Sequence, residues 1–169
     1  AHLNNVEALE KEDKATLEAV TEVFPDRCRQ KLDELQARGV RIYDDYRPML
    51  RSEPELDIVS VPTPLHLHAP MALACFERGL NVMLEKPPAV LVQDVDRMLE
   101  AAERRHCLCQ VGFQNISDPA ARELKARLAA GEIGRLTEMV VTGEWQRVDS
   151  YYARSDWAGR VRLGDAWVL

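Results

Sequence analysis

A short β-branched run cut off by two prolines, then a helix and a second apolar run, constrains this chain more than any other stretch. Ile58, Val59 and Val61 form the first run, and Pro62 and Pro64 end it, because a proline brings no N–H to a sheet ladder. Residues 69–78 read as a helix, with Pro70 tolerated in the first turn and Gly79 as the stop. Asn81, Val82, Met83 and Leu84 form the next buried strand, which delivers Glu85-Lys86-Pro87 to its carboxyl end. Ligands of open α/β sheets bind outside the carboxyl ends of the strands. Thr63 and Lys86 stand at such ends and are expected to face a ligand.

The alternation extends well beyond this unit. Residues 17–23 read as a strand, and Pro25-Asp26 open a helix with Cys28, Leu32 and Leu35 inward and Gly39 as its stop. Residues 40–43 read as a strand and 46–51 as a short helix. Residues 93–105 read as a helix with Val95, Met98, Leu99 and Ala102 on one face, and 107–113 as the last strand of the set. Strands separated by helices imply parallel pairing through right-handed crossovers, hence an α/β fold with a doubly wound sheet. At the start, Leu3, Val6 and Leu9 recur at one-turn spacing, so a helix is expected from Ala1 onward.

The register changes after Asn115. Residues 119–130 read as a helix with Leu124 and Leu128 inward, and Gly131 and Gly134 bracket a turn. Residues 136–145 alternate apolar and polar side chains and predict a strand with one wet face. Asp165-Ala166-Trp167-Val168-Leu169 reads as a further strand.

Composition excludes several classes. With 46% hydrophobic and 30% charged residues the chain is a folded globular protein rather than a disordered one. A formal charge of −6 and a pI near 5.3 argue against a nucleic-acid partner. No apolar run approaches the roughly 18 residues of a membrane span, and the acidic start is no signal peptide. The expectation is a cytoplasmic protein with no membrane partner. Cys28, Cys75, Cys107 and Cys109 read as reduced thiols rather than a disulfide framework. C-x-C has the wrong spacing for a zinc ribbon, and the His66-x-His68 pair has no evident third ligand, so no metal is expected.

Five elements occur in order: Thr63-Pro64-Leu65-His66-Leu67-His68, Gly79-Leu80-Asn81-Val82, Glu85-Lys86-Pro87, Val111-Gly112-Phe113-Gln114-Asn115 and Gly131-Glu132-Ile133-Gly134. With them the chain resembles the glucose–fructose oxidoreductase / inositol dehydrogenase (Gfo/Idh/MocA) family of nicotinamide-dependent oxidoreductases, over nearly its whole length. The resemblance implies a Rossmann-like dinucleotide-binding domain at 1–115 and the beginning of an α+β substrate and oligomerisation domain at 116–169. The family opens with a strand and a G-x-G-x-x-G turn, which the eight glycines here do not form. The expectation is therefore an N-terminally truncated piece of a longer homo-oligomeric enzyme. Alone, these 169 residues would bind dinucleotide poorly and be inactive.

The resemblance also implies the activity: hydride transfer between NAD or NADP and a sugar, polyol or related hydroxy compound. Lys86 is the expected catalytic residue, a lysine at a buried strand end held by Pro87-Pro88 with little freedom to reach solvent. Thr63, Pro64, His68, Glu85 and Pro87 are expected on the cofactor side. Glu85 either contacts the nicotinamide ribose or fixes local structure, and His68 either caps or hydrogen-bonds towards the cofactor. Glu22 ends the segment Ala19-Val20-Thr21-Glu22, the place of the acid that binds a ribose 2′-hydroxyl and repels a 2′-phosphate. It favours NAD over NADP; the other reading is a solvated strand-end glutamate. Gln114 and Asn115 could offer amide hydrogen bonds to substrate.

The chain departs from the family at Ile116 and Ser117, where an arginine and an aromatic residue are common. That departure keeps open a non-catalytic nucleotide-binding or regulatory homologue. Redox-assisted lyase or glycosidase chemistry on the same scaffold is a third reading. Trp145, Tyr151, Tyr152 and Trp157 form either a sugar platform or ordinary packing.

Overall fold

A computed structural model describes residues 2–167, so Ala1 at the expected start of the first helix and Val168 and Leu169 at the end of the last strand lie outside the described residues. The elements run α1 (His2–Glu10), β1 (Ala19–Thr21), α2 (Arg29–Ala37), β2 (Arg41–Tyr43), α3 (Tyr46–Ser52), β3 (Ile58–Val61), α4 (His68–Glu77), β4 (Asn81–Leu84), α5 (Val92–Arg105) and β5 (Cys109–Val111). Beyond them come α6 (Pro119–Ala129), α7 (Asp149–Tyr152) and a small antiparallel hairpin, β6 (Arg162–Leu163) with β7 (Ala166–Trp167). β1 pairs with β2, and β3, β4 and β5 pair in that order, all in parallel. These parallel sheets with intervening helices make a Rossmann-like α/β fold.

Helix α4 explains why the three-stranded sheet is well packed. Its sequence is apolar on nearly every side, and Ala69, Ala72, Cys75 and Phe76 are all buried. It lies between β3–β4 and α5. Val61, Val82 and Leu84 come up from the sheet into the same core, and Met98, Ala101 and Ala102 come down from α5. Burial of side chains such as Phe76, Val82 and Leu84 stabilises the fold by about 1.5–3 kcal/mol each. The other face of β3 and β4 is open at Ile58 and Met83.

The helix-to-strand turns repeat one solution. After α2, the Gly39 N–H bonds to the Gln36 carbonyl and Val40 to Leu35; after α4, Gly79 bonds to Phe76 and Leu80 to Cys75. Both glycines have positive φ, and both following residues are buried. This is the Schellman pattern, which satisfies the last helix carbonyls and aims the chain into the next strand. After α5 the same pair of bonds recurs, His106 to Glu103 and Cys107 to Ala102, but with a histidine at φ 56°.

Four expectations differ from the structure. Leu99 is exposed, and Ala101 joins Met98 and Ala102 on the buried face of α5. Leu124 is 53% exposed because α6 touches chiefly the 3-10 turn Gln114–Ser117 before it. Residues 136–145 pair with no strand among the described residues; Val140 and Val141 are exposed on both sides of the expected alternation. Alternation alone makes no strand without a neighbouring edge to complete its ladder. The expected strands at 17–23 and 107–113 shorten to Ala19–Thr21 and Cys109–Val111.

A left-handed conformation is costly for a residue with a Cβ. His106→Gly is therefore expected to raise stability by about 1 kcal/mol, read as the denaturation free energy of the purified protein.

Candidate active site

Register brings the carboxyl ends of the strands to one level. Val61 stands beside Leu84, and Leu84 beside Val111. The next residues continue the ladder: the Glu85 N–H bonds to the Val61 carbonyl at 3.3 Å and the Gly112 N–H to Leu84 at 2.8 Å. The segments led by Pro62-Thr63, Glu85-Lys86 and Gly112-Phe113 therefore leave the sheet side by side.

His68 ties two of these segments together. It opens α4 and is 1% exposed. Its Nδ1 lies 2.8 Å from the Pro87 carbonyl and its Nε2 2.8 Å from the Thr63 carbonyl. A carbonyl only accepts, so the neutral ring satisfies one of the two and the imidazolium satisfies both. Both ring nitrogens are thus engaged by backbone, and His68 reaches a ligand only through the turns it holds. The Leu67 N–H closes the same turn onto the Pro64 carbonyl at 2.9 Å, and the Lys86–Pro87 bond is cis.

Two side-chain atoms in this turn are buried and lack a hydrogen-bond partner, Thr63 Oγ1 and His66 Nδ1. Orphaned polar atoms are costly to bury. Their place at the carboxyl end of β3 fits a polar ligand laid across the strand ends, as a nicotinamide ring with its ribose would be.

Glu85 is half-buried and doubly engaged. Its Oε1 is 2.8 Å from His2 Nε2, and its Oε2 accepts the Lys86 backbone N–H at 3.1 Å. Burial acts to raise its carboxyl, but the hydrogen bonds from His2 and Lys86 and the charges of both outweigh this and hold it below the usual value. Gly112 passes close by; a Cβ there would stand 3.7 Å from Glu85 Oε1 and 3.4 Å from the Leu84 carbonyl. The Lys86 side chain is exposed, contrary to the restricted lysine expected from Pro87-Pro88. Prolines fix the backbone after it but leave the four-carbon stem free, and no described residue pairs with its ammonium.

Glu22 follows β1 directly. Its N–H bonds to the Tyr43 carbonyl and its Oε1 accepts the Phe24 N–H at 2.8 Å, which fixes the carboxylate at the strand end. Gln114 and Asn115 begin an exposed 3-10 turn after β5. Tyr151 and Trp157 face Arg154, whose guanidinium stands 3.9 Å and 5.3 Å from the two ring centres, while Trp145 is 73% exposed. The cysteines are free thiols; burial, aided by Cys107 and Cys109, pushes Cys75 up to about 12. Among the described residues no three metal-ligating side chains cluster. His2 and Ser60 are the site residues that sequence reasoning missed. His2 lies 83 residues from Glu85 in sequence, so no local pattern could have joined them.

A family model described as an oxidoreductase family with an NAD-binding Rossmann fold matches residues 2–113. The scyllo-inositol 2-dehydrogenase (NAD(+)) of Bacillus subtilis is 30% identical over 121 residues, which are 72% of this chain and 34% of that protein. The myo-inositol 2-dehydrogenase of Thermotoga maritima is 29% identical over 134 residues, 79% of this chain and 38% of that protein. The chain thus spans little more than a third of the length of these relatives. Among solved structures, the WlbA dehydrogenase of Bordetella pertussis in complex with NADH and UDP-GlcNAcA superposes with a TM-score of 0.81 at 26% identity. The match covers 94% of this chain and 45% of that one.

Removing the His68 ring leaves the Thr63 and Pro87 carbonyls without their partner and opens a cavity. His68→Ala is expected to cost about 2–4 kcal/mol in urea denaturation, with the loss seen first as hydrogen exchange in the turns at 63–67 and 85–88.

Proposed function

This chain belongs to the Gfo/Idh/MocA oxidoreductase family with its NAD-binding Rossmann fold, and on that premise we propose that it serves an NAD-dependent dehydrogenase acting on a sugar, polyol or related hydroxy compound. The observation that carries the reading is that Thr63 and Lys86 follow the adjacent parallel strand ends Val61 and Leu84, which pair with each other. Among the described residues, orphaned polar atoms lie in the one turn, and the Lys86 side chain on the other makes no ion pair. A nicotinamide dinucleotide, when bound, supplies the hydride acceptor. Lys86 Nζ assists removal of the hydroxyl proton while the carbinol hydrogen leaves as hydride to that acceptor and the C–O bond of the alcohol becomes C=O.

The remaining assignments follow from position. Thr63, Pro64 and Pro87 border the cofactor, His68 holds their turns, and Glu85 supports Lys86. Glu22 meets the adenosine ribose and disfavours a 2′-phosphate by like-charge repulsion, so NAD is preferred to NADP. Gln114 and Asn115 reach the substrate. Residues 1–115 carry the cofactor, and 116–169 open the substrate domain of a homo-oligomer working in the cytoplasm. Among the described residues no helix is long and apolar enough to cross a membrane.

Ile116 and Ser117, in place of the arginine and aromatic residue common in the family, favour the rival reading of a homologue that binds nucleotide without turning over. Screening the full-length protein against sugars and polyols by nicotinamide absorbance separates the two. Lys86→Ala is expected to lower kcat by about 100-fold or more while NAD affinity changes little, and NAD to compete better than NADP in titration. Unchanged turnover in the variant would overturn the role of Lys86.

A further inference from the structure

We propose that His2 is a positioning residue for Lys86, acting through Glu85; the proposal rests on the reading of Lys86 as the proton-transfer group. Helix α1 begins at His2, and the ring reaches across to two strand ends at once. Nε2 lies 2.8 Å from Glu85 Oε1, at the end of β4, and Nδ1 lies 3.3 Å from Ser60 Oγ on β3.

Chemistry fixes the proton on the Glu85 side of this chain of hydrogen bonds. The Glu85 carboxyl sits below its usual value, so it is a carboxylate at neutral pH and only accepts. The hydrogen between it and His2 therefore sits on Nε2. In the neutral ring Nδ1 is then an acceptor, and the Ser60 hydroxyl is a donor able to fill it. Glu85 in turn accepts the Lys86 N–H on its other oxygen, at 3.1 Å. Ser60 bonds to His2, and His2 and the Lys86 backbone both donate to the Glu85 carboxylate, each group used in a role it can fill.

Together with His68, this chain of hydrogen bonds constrains the backbone on both sides of Lys86. Lys86 has an exposed, unpaired side chain, so the direction of its amine is set by its backbone and by the ligand it meets. Its N–H is engaged by Glu85, while His68 holds the Pro87 carbonyl on the other side. Without His2, Glu85 keeps the weak Lys86 contact but loses its charge-supporting partner, and its side-chain torsions are free to swing the carboxylate towards solvent. Misplacement of a reacting group by about 1 Å can cost up to about 100-fold in rate.

The test uses the full-length protein with His2→Ala, His2→Gln, His2→Asn, Glu85→Gln and the double variant of His2→Ala with Glu85→Gln, with Lys86→Ala as reference. Glutamine carries its amide nitrogen where Nε2 stands, and asparagine falls short. His2→Ala is expected to lower kcat about tenfold or more with KM for NAD and substrate little changed. His2→Gln is expected to recover most of that loss and His2→Asn little. The double variant of His2→Ala with Glu85→Gln should lose no more than the worse single one, because the two residues act on one path. Wild-type kcat in His2→Ala, with Lys86→Ala inactive, overturns the role of His2 and leaves Lys86 standing. Wild-type kcat in Lys86→Ala overturns the underlying reading and His2's role with it. If His2→Ala does not fold, equal kcat in His2→Gln and His2→Asn overturns the proposal, and a clear advantage of His2→Gln supports it.

Discussion

Parallel strands in register must end together, and a buried imidazole then decides what those ends look like. The ladder from Val61 through Leu84 to Val111 puts three loop starts side by side. Loops at a sheet edge are the mobile part of such a fold, yet His68 ties two of them through the Thr63 and Pro87 carbonyls. The Thr63 turn and the Glu85-Lys86-Pro87 segment both stand on that fixture.

Where the burial comes from explains why the fixture holds. His68 is the first residue of α4, which buries Ala69, Ala72, Cys75 and Phe76 in the core, so its backbone is held with that core. Core and site are thus one mechanical unit along α4. The ion pairs contribute little to this rigidity. Arg29 with Asp26, Arg97 with Asp94 and Arg127 with Glu123 are exposed pairs, of the kind worth a few tenths of a kcal/mol. A better-buried carboxylate is Glu53, which receives Tyr43 Oη at 2.6 Å and the Arg41 guanidinium. The Arg41 hydrogen bond, opposed by burial and aided by Tyr43, holds its carboxyl below the usual value. It secures the start of β2 to the loop before β3, away from the strand ends.

The sequence was most legible where local chemistry is strong. Two prolines after Ile58–Val61, a glycine after each of α2 and α4, and an apolar α4 left little choice, and the structure follows all of them. It was least legible where the outcome depends on partners. Residues 136–145 have strand-like alternation but no edge to join, and Leu124 points from a helix face that nothing in the described chain covers. At the candidate site, the place of Thr63, Glu85 and Lys86 just beyond strand ends could be read because motif and strand end coincide. The division of labour among them could not: that His68 holds backbone, and that Glu85 is held by His2, are facts of three-dimensional proximity.

A crystal structure of the full-length protein with NADH and a bound hydroxy compound tests the central claim most directly, that the ends of β3 and β4 form the reacting face. The expected result has Lys86 Nζ about 2.6–3.2 Å from the substrate oxygen, with Thr63 Oγ1 or His66 Nδ1 hydrogen-bonded to the cofactor and His68 still bridging the Thr63 and Pro87 carbonyls. A nicotinamide ring bound away from these strand ends, with Lys86 in solvent and Thr63 Oγ1 still unpaired, would contradict it.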